Sequence, residues 1–178
     1  MKILAICGSP RKGNTEFMLN TVLNEITRHK KELILLREKS IKHCTGCLFC
    51  DERKKECSIK DDDMEGLNKK LSEADIILMG SANYFDNVTG LLKDFIDRTN
   101  IFYKTGLLKG KKVYGLVAGG MSKLHSEKAM EAVKSFAAAH KMDFIKGLIC
   151  GHSEDSEAKN QKELIKELKR LGQNINNQ

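Results

Sequence analysis

Gly8-Ser9-Pro10-Arg11-Lys12-Gly13-Asn14-Thr15 decides how the rest of the chain is read. An apolar run, Ile3-Leu4-Ala5-Ile6, precedes it and has the character of a buried strand, with Lys2 at its start. Glu16-Phe17-Met18-Leu19-Asn20-Thr21-Val22-Leu23 follows, its apolar residues recurring at helical spacing. Strand, small polar loop and helix in that order can hold an anion, because the first N–H groups of a helix have no partner inside it. Ser9, Asn14 and Thr15 can add side-chain donors, and Arg11 adds a fixed cationic fork.

Gly8 and Gly13 are spaced as in a nucleotide-binding P-loop, but Asn14 stands where that motif has its lysine. Without the ammonium group the reach towards a β- or γ-phosphate is lost. A terminal monophosphate therefore suits the loop better than a nucleoside triphosphate, and a nucleotide kinase is disfavoured. A receiver domain is disfavoured too, because Cys7-Gly8-Ser9 stands where acidic residues would be needed. The plainer reading of the same residues is an ordinary turn with a helix cap.

Beyond the first helix, expected to end near Arg28-His29-Lys30-Lys31, the apolar runs mark further strands. These are Leu33–Leu36, Ile76–Met79, Lys111–Ala118 and Phe144–Cys150. Between them lie helical patterns starting at Asp61-Asp62-Asp63, running from Val88 to about Phe102, from about Ser126 to His140, and from about Ser156 to Leu171. Gly172 is read as the stop of the last helix and Gln173–Gln178 as a frayed tail. Strands alternating with helices predict a doubly wound, five-stranded parallel α/β sheet with helices on both faces. At 178 residues the expectation is one domain over 1–178, with a cysteine-rich insertion at about 43–60. Ligands of such sheets sit beyond the carboxyl ends of the strands. Three loops there are rich in small polar residues: Gly8–Thr15, Gly80–Asn87 and Ala118–Ser122.

The net charge of +7 is spread over helices in which lysine and glutamate alternate, which describes solvated faces. Tryptophan is absent and there are three tyrosines, so the stacking platform of a nucleic-acid binder is missing. No apolar run has membrane-spanning length and no signal peptide is evident, so the expected location is the cytoplasm, with neither nucleic acid nor membrane as partner. In that compartment six cysteines point to metal or redox chemistry rather than a disulfide frame.

Cys44, Cys47, Cys50 and Cys57 are separated by two, two and six residues. Three thiolates at that pitch can wrap a compact cluster and a fourth can close it, so one [4Fe–4S] centre is the leading reading. Zinc and uncomplexed thiols are the alternatives; structural zinc sites favour two separated pairs over a dense triplet. Cys7 and Cys150 lie in strand-like runs and are read as core. His43 is read as a surface loop residue. Arg53, Lys54 and Lys55 could steer an acidic protein partner, or simply form a solvated loop.

Taken together, the Gly8–Thr15 loop, Tyr84-Phe85 and Thr89-Gly90-Leu91-Leu92-Lys93-Asp94-Phe95-Ile96-Asp97-Arg98 resemble the flavodoxin-like NADPH-dependent FMN reductase family. Cys44-Thr45-Gly46-Cys47-Leu48-Phe49-Cys50 with Cys57 and Asp61-Asp62-Asp63-Met64 narrows the resemblance to its iron–sulfur flavoprotein branch. The resemblance implies strand order 2-1-3-4-5 with FMN at the switch point. It places the FMN phosphate on Ser9, Arg11, Gly13, Asn14 and Thr15, the ribityl chain and ring beside Ala82, Asn83, Tyr84 and Phe85, and the pyrimidine edge at Ala118, Gly119 and Gly120. Simple packing under a loop is the other account of Tyr84 and Phe85. The chain departs from the family pattern at Ala82, where proline is usual, and at Asn83 and Asp86, which bears on acceptor preference.

The implied function is an FMN-dependent oxidoreductase. It would pass electrons from ferredoxin or NAD(P)H through a [4Fe–4S] cluster and FMN to a small-molecule acceptor, in a homodimer or homotetramer. The flavin carries the chemistry, so no side chain is assigned as catalytic. A cluster-free NAD(P)H-dependent FMN or quinone-type reductase and a non-enzymatic flavin redox sensor are the alternatives.

Overall fold

Ile3, Ala5 and Cys7 face one side of the first strand while Leu4 and Ile6 face the other, and this alternation sorts the core into two halves. The computed structural model describes residues 1–53, 56–154 and 157–178. Its five strands are β1 (Lys2–Cys7), β2 (Lys30–Leu35), β3 (Ile76–Ala82), β4 (Lys112–Ala118) and β5 (Asp143–Cys150). They form one parallel sheet in the order β2-β1-β3-β4-β5, as the resemblance implied.

The helices are α1 (Asn14–Asn24), α2 (Phe49–Arg53), α3 (Met64–Glu73), α4 (Gly90–Asp97), α5 (Lys123–Ala139) and α6 (Lys162–Asn176). On one face of the sheet, Met18, Leu19 and Val22 of α1 and Leu164, Leu168 and Leu171 of α6 pack against Ile76, Leu78 and Leu116. On the other, α3, α4 and α5 contribute Leu67, Leu71, Leu92, Phe95, Val133 and Phe136. Cys7 and Cys150 are fully buried, and burial is the main cause that raises both thiol pKa values.

Several boundaries differ from the sequence reading, each for a local reason. α1 stops at Asn24 rather than near Arg28–Lys31. The Lys31 ammonium donates to the carbonyls of Leu23 and Ile26 at 2.6 and 2.7 Å, and Asn176 accepts from the N–H groups of Thr27 and Arg28. Those bonds satisfy the groups that another turn would have used, so Lys30 is free to start β2.

α6 runs through Gly172 to Asn176 and buries Ile175 completely, so Gly172 is no stop and the residues up to Asn176 are no frayed tail. A Cβ at Gly172 would lie 2.4 Å from the Val22 carbonyl oxygen. This glycine allows α1 and α6 to approach closely. The expected helix start at Ser156 lies outside the described residues. α4 ends at Asp97, short of Phe102, and a 3-10 turn over Asn100–Phe102 follows it. Gly80, Ser81 and Ala82 belong to the end of β3 rather than to a loop.

Candidate functional site at the strand carboxyl ends

β1 neighbours both β2 and β3, so the chain leaves β1 in one direction and returns to its other side. That reversal opens a crevice at the carboxyl ends of β1, β3 and β4. The surrounding backbone is cross-linked. Gly8 N–H donates to the Gly80 carbonyl at 2.8 Å, and Asn83 N–H donates to the Ala118 carbonyl at 2.7 Å. Gly119 N–H donates to the Cys150 carbonyl at 2.9 Å, and the Gly119 carbonyl accepts from Ser153 N–H at 3.0 Å. The three loops named from sequence are thereby held side by side.

In the first loop, Gly13 is the N-cap of α1, with an extended φ of −175° and no side-chain cap on the helix. Space around a Cβ at Gly13 is open within 4 Å, so the helix N-terminus faces an accessible volume. Ser9 is buried and spends its hydroxyl on the turn itself, donating to the Arg11 carbonyl at 2.8 Å. Arg11 and Lys12 are exposed at the rim. Thr15 is buried against Gly80, while Asn14 accepts from Ala158 N–H through its side-chain oxygen at 2.9 Å. Glu16 would repel an anion here, but Arg37 pairs with it at 2.8 Å. The acidic residue in the first turn is therefore compensated rather than left facing the loop.

In the second loop, Tyr84 and Asn87 exchange backbone hydrogen bonds at 2.9 and 3.1 Å, with Phe85 and Asp86 at the tip. Both tip residues have positive φ, 50° and 59°, as a primed hairpin turn requires. Phe85 is fully exposed and Tyr84 is 45% exposed, so neither is packed away beneath the loop. Asp86 is fixed from α5 by Lys128 at 2.7 Å and His125 at 3.1 Å; Lys128, then His125, holds its carboxyl below the usual carboxylate pKa. The added carboxylate is thus tied to two groups of α5.

The third loop supplies a polar nook. A Cβ on Gly119 would sit 2.2 Å from Ser126 Oγ and 3.2 Å from Asn83 Cβ. Ser126 Oγ and Asn83 Oδ1 are both buried and lack hydrogen-bond partners among the described residues. Such orphaned oxygens are costly unless a bound polar group meets them. Glu154 lies against Gly120, where an added Cβ would be 2.5 Å from its Oε1. Ser126 and Glu154 were not legible as site residues: serine in a first helical turn looks like an ordinary cap.

The cysteine segment runs alongside the end of α4 and the turn that follows it. None of the six cysteines is in a disulfide; Cys44 and Cys47 are exposed, Cys50 and Cys57 half-buried. Cys47 Sγ is 3.1 Å from the Ser58 hydroxyl, and hydrogen bonding by Ser58, Phe49 N–H and Thr45 lowers its thiol pKa. Asn100 Nδ2 donates to Cys50 Sγ at 3.2 Å. His43 is exposed and bonds Asp94 at 2.7 Å, as a surface residue rather than a member of a ligand group. Four free thiols, one biased towards thiolate, form the right donor set for an iron–sulfur cluster. Among the described residues, no three potential ligands are gathered at metal-binding distance. Lys54 and Lys55 lie outside the described residues.

Among the described residues no helix is long and apolar enough to cross a membrane. The sequence pattern of the NADPH-dependent FMN reductase family matches residues 1–155. An iron–sulfur flavoprotein of Archaeoglobus fulgidus is 46% identical over 103 residues, 57% of this chain and 50% of that protein. An iron–sulfur flavoprotein of Methanocaldococcus jannaschii is 37% identical over 146 residues, 80% of this chain and 74% of that one. The aligned region thus spans half of the first relative and about three-quarters of the second. Among solved structures, a flavone reductase superposes with a TM-score of 0.77 at 22% identity, covering 99% of this chain and 62% of that one. An azoreductase superposes with the same TM-score at 15% identity, covering 98% of this chain and all of that one. At such identities the superpositions establish the fold. The matched family pattern and the identity to these relatives show that the chain belongs to the NADPH-dependent FMN reductase family and groups with its iron–sulfur flavoproteins.

Proposed function

We propose that the chain is an FMN-dependent oxidoreductase of the iron–sulfur flavoprotein type. The observation that carries this reading is the cross-linked crevice itself. An uncapped helix N-terminus at Gly13 stands on one side and two orphaned buried oxygens, Asn83 Oδ1 and Ser126 Oγ, on the other. The terminal phosphate of FMN meets the N–H groups at the start of α1, with Arg11 as its exposed cationic partner. The Ser9 hydroxyl shapes the loop rather than reaching out from it. Tyr84 and the fully exposed Phe85 present aromatic surface to the ring. Gly119 and Gly120 let backbone approach the pyrimidine edge, where Ser126, Asn83 and Glu154 supply polar atoms.

Once bound, FMN supplies hydride and single-electron chemistry, and the protein's task is to hold, orient and shield it. Cys44, Cys47, Cys50 and Cys57 are the residues that hold a [4Fe–4S] cluster. Ferredoxin or NAD(P)H is the donor and a small molecule the acceptor, in a dimer or tetramer. A second reading, a cluster-free NAD(P)H-linked flavin reductase, is favoured by the absence of a three-ligand group among the described cysteines. Purification without oxygen, with flavin, iron and sulfide counted per chain, separates the two. Flavin with iron and sulfide supports the first; flavin with neither supports the second.

A further inference from the structure

Arg98, the residue after α4, is 2% exposed and ties together parts of the chain that are far apart in sequence. Its guanidinium donates to the Lys42 carbonyl at 2.8 Å and the Ile59 carbonyl at 3.3 Å. It also donates to both oxygens of Asp62, at 2.5 and 3.2 Å. Lys42 precedes Cys44 and Ile59 follows Cys57, so one side chain pins both ends of the cysteine segment. Asp62 completes the clamp by accepting from the N–H groups of Lys42 and Met64, each at 3.0 Å.

The guanidinium is not fully used. Its Nε–H is buried and lacks a hydrogen-bond partner among the described residues. Two residues further on, Asn100 Nδ2 donates to Cys50 Sγ and to Asp51 Oδ1, both at 3.2 Å. The same turn therefore places a buried cation at the neck of the cysteine segment and an amide donor at the Cys50 sulfur.

We propose that the Arg98–Asn100 turn positions and tunes the cysteine-held cluster. Arg98 closes the neck of the segment through the Lys42 and Ile59 carbonyls, while Asn100 supports Cys50 sulfur. This rests on the iron–sulfur reading given above. Hydrogen bonds and positive charge at ligand sulfurs favour the more negative, reduced state of a cluster and so raise its reduction potential. A purely structural ion pair between Arg98 and Asp62 would not change that potential. The same helix begins at the flavin crevice, where Thr89 Oγ1 donates to the Gly8 carbonyl. Its eight residues span about 12 Å, so α4 fixes the two sites relative to each other.

The test uses the full chain reconstituted anaerobically with ferrous iron and sulfide, as wild type, Arg98→Lys and Asn100→Ala. Iron and sulfide per chain, cluster half-life under a chelator and the midpoint potential by EPR are read, with FMN content reporting the fold. Arg98→Lys is expected to keep FMN and to shorten the half-life about tenfold. Asn100→Ala, which removes the donor to Cys50 sulfur, should leave a cluster harder to reduce by about tenfold in equilibrium constant, about 59 mV for one electron. If Arg98→Lys loses FMN as well, Asn100→Ala alone decides. Unchanged half-life and potential in the variants that retain FMN overturn the proposal while leaving the cluster standing. A wild type that takes up no iron and sulfide overturns both.

Discussion

The Thr89 hydroxyl donates to the carbonyl oxygen of Gly8 at 2.5 Å, across 81 positions of sequence. Thr89 Oγ1 also accepts from Leu92 N–H at 3.2 Å as the N-cap of α4, and Thr89 N–H donates to Ser81 Oγ at 3.1 Å. One buried residue thereby joins the end of β1 and the start of α4 through its hydroxyl and the end of β3 through its backbone N–H. Thr89→Val keeps the shape and removes the oxygen, leaving the Leu92 N–H without its cap and the Gly8 carbonyl without its donor. The expected loss is about 1–3 kcal/mol in urea unfolding, with weakened FMN retention. A variant as stable as wild type would show that water replaces these bonds at no cost.

Gly172 offers a test in which two effects have opposite sign. Replacing a helix-interior glycine by alanine normally gains about 1 kcal/mol. Here the new Cβ would meet the Val22 carbonyl oxygen at 2.4 Å and Glu25 Cβ at 2.7 Å, and backbone cannot move aside cheaply. Overpacking of this kind costs about 1–3 kcal/mol. Gly172→Ala is expected to lower the Tm by a few degrees; a rise would show that α6 shifts freely over α1.

His140 controls part of the pH dependence of stability. Thr99 Oγ1 donates to the Ile96 carbonyl at 2.6 Å, so its 2.9 Å contact with His140 Nε2 requires Nε2–H as donor. The neutral ring is left with Nδ1 buried and unpartnered, edge-on to Phe136. Burial pushes the imidazole pKa below its ordinary value. The unfolded chain thus binds a proton at a higher pH than the folded one. The stability contributed by the neutral ring is complete above about pH 6.5 and is lost as pH falls below it. Relative to wild type, His140→Phe should flatten the stability profile below about pH 6.5, by up to about 1.4 kcal/mol per pH unit. Parallel profiles would mean that the ring does not titrate in that window.

Arg11 and Lys12 are adjacent, exposed cations at the mouth of the Gly8–Thr15 loop, yet only Arg11 can present a planar fork to a phosphate. Arg11→Ala is expected to raise the Kd for FMN at least about tenfold, equivalent to about 1.4 kcal/mol. Lys12→Ala should change it by less than about threefold, in keeping with a screened surface charge. Equal effects in a flavin fluorescence titration would count against the phosphate assignment.

The parallel sheet was legible because its strands are short apolar runs such as Ile76–Met79, bounded by charged residues and small polar loops. Strand order followed from the motifs that mark the family, not from periodicity. Tertiary contacts were the illegible part. Gly172 has the look of a helix stop, and only the nearness of Val22 shows that it belongs to a helix–helix crossing. Phe85-Asp86 carries none of the Asn-Gly signature of a primed turn, since its positive φ values are held by the Tyr84–Asn87 bridge and by Lys128 and His125. Arg98 reads as one more charge at a helix end, and its burial follows from Asp62, 36 positions earlier. The loops around the crevice were found from their small polar residues. The partners Ser126 and Glu154 were not, because packing brings them there rather than any local pattern.

The central claim is a monophosphate cradle at the start of α1 that makes this chain a flavoprotein. It is tested most directly by titrating the purified full chain with FMN while following quenching of flavin fluorescence. Saturable, stoichiometric binding with a Kd in the micromolar range or tighter is expected, with much weaker binding of riboflavin, which lacks the phosphate. No binding of FMN, or equal binding of FMN and riboflavin, would contradict it.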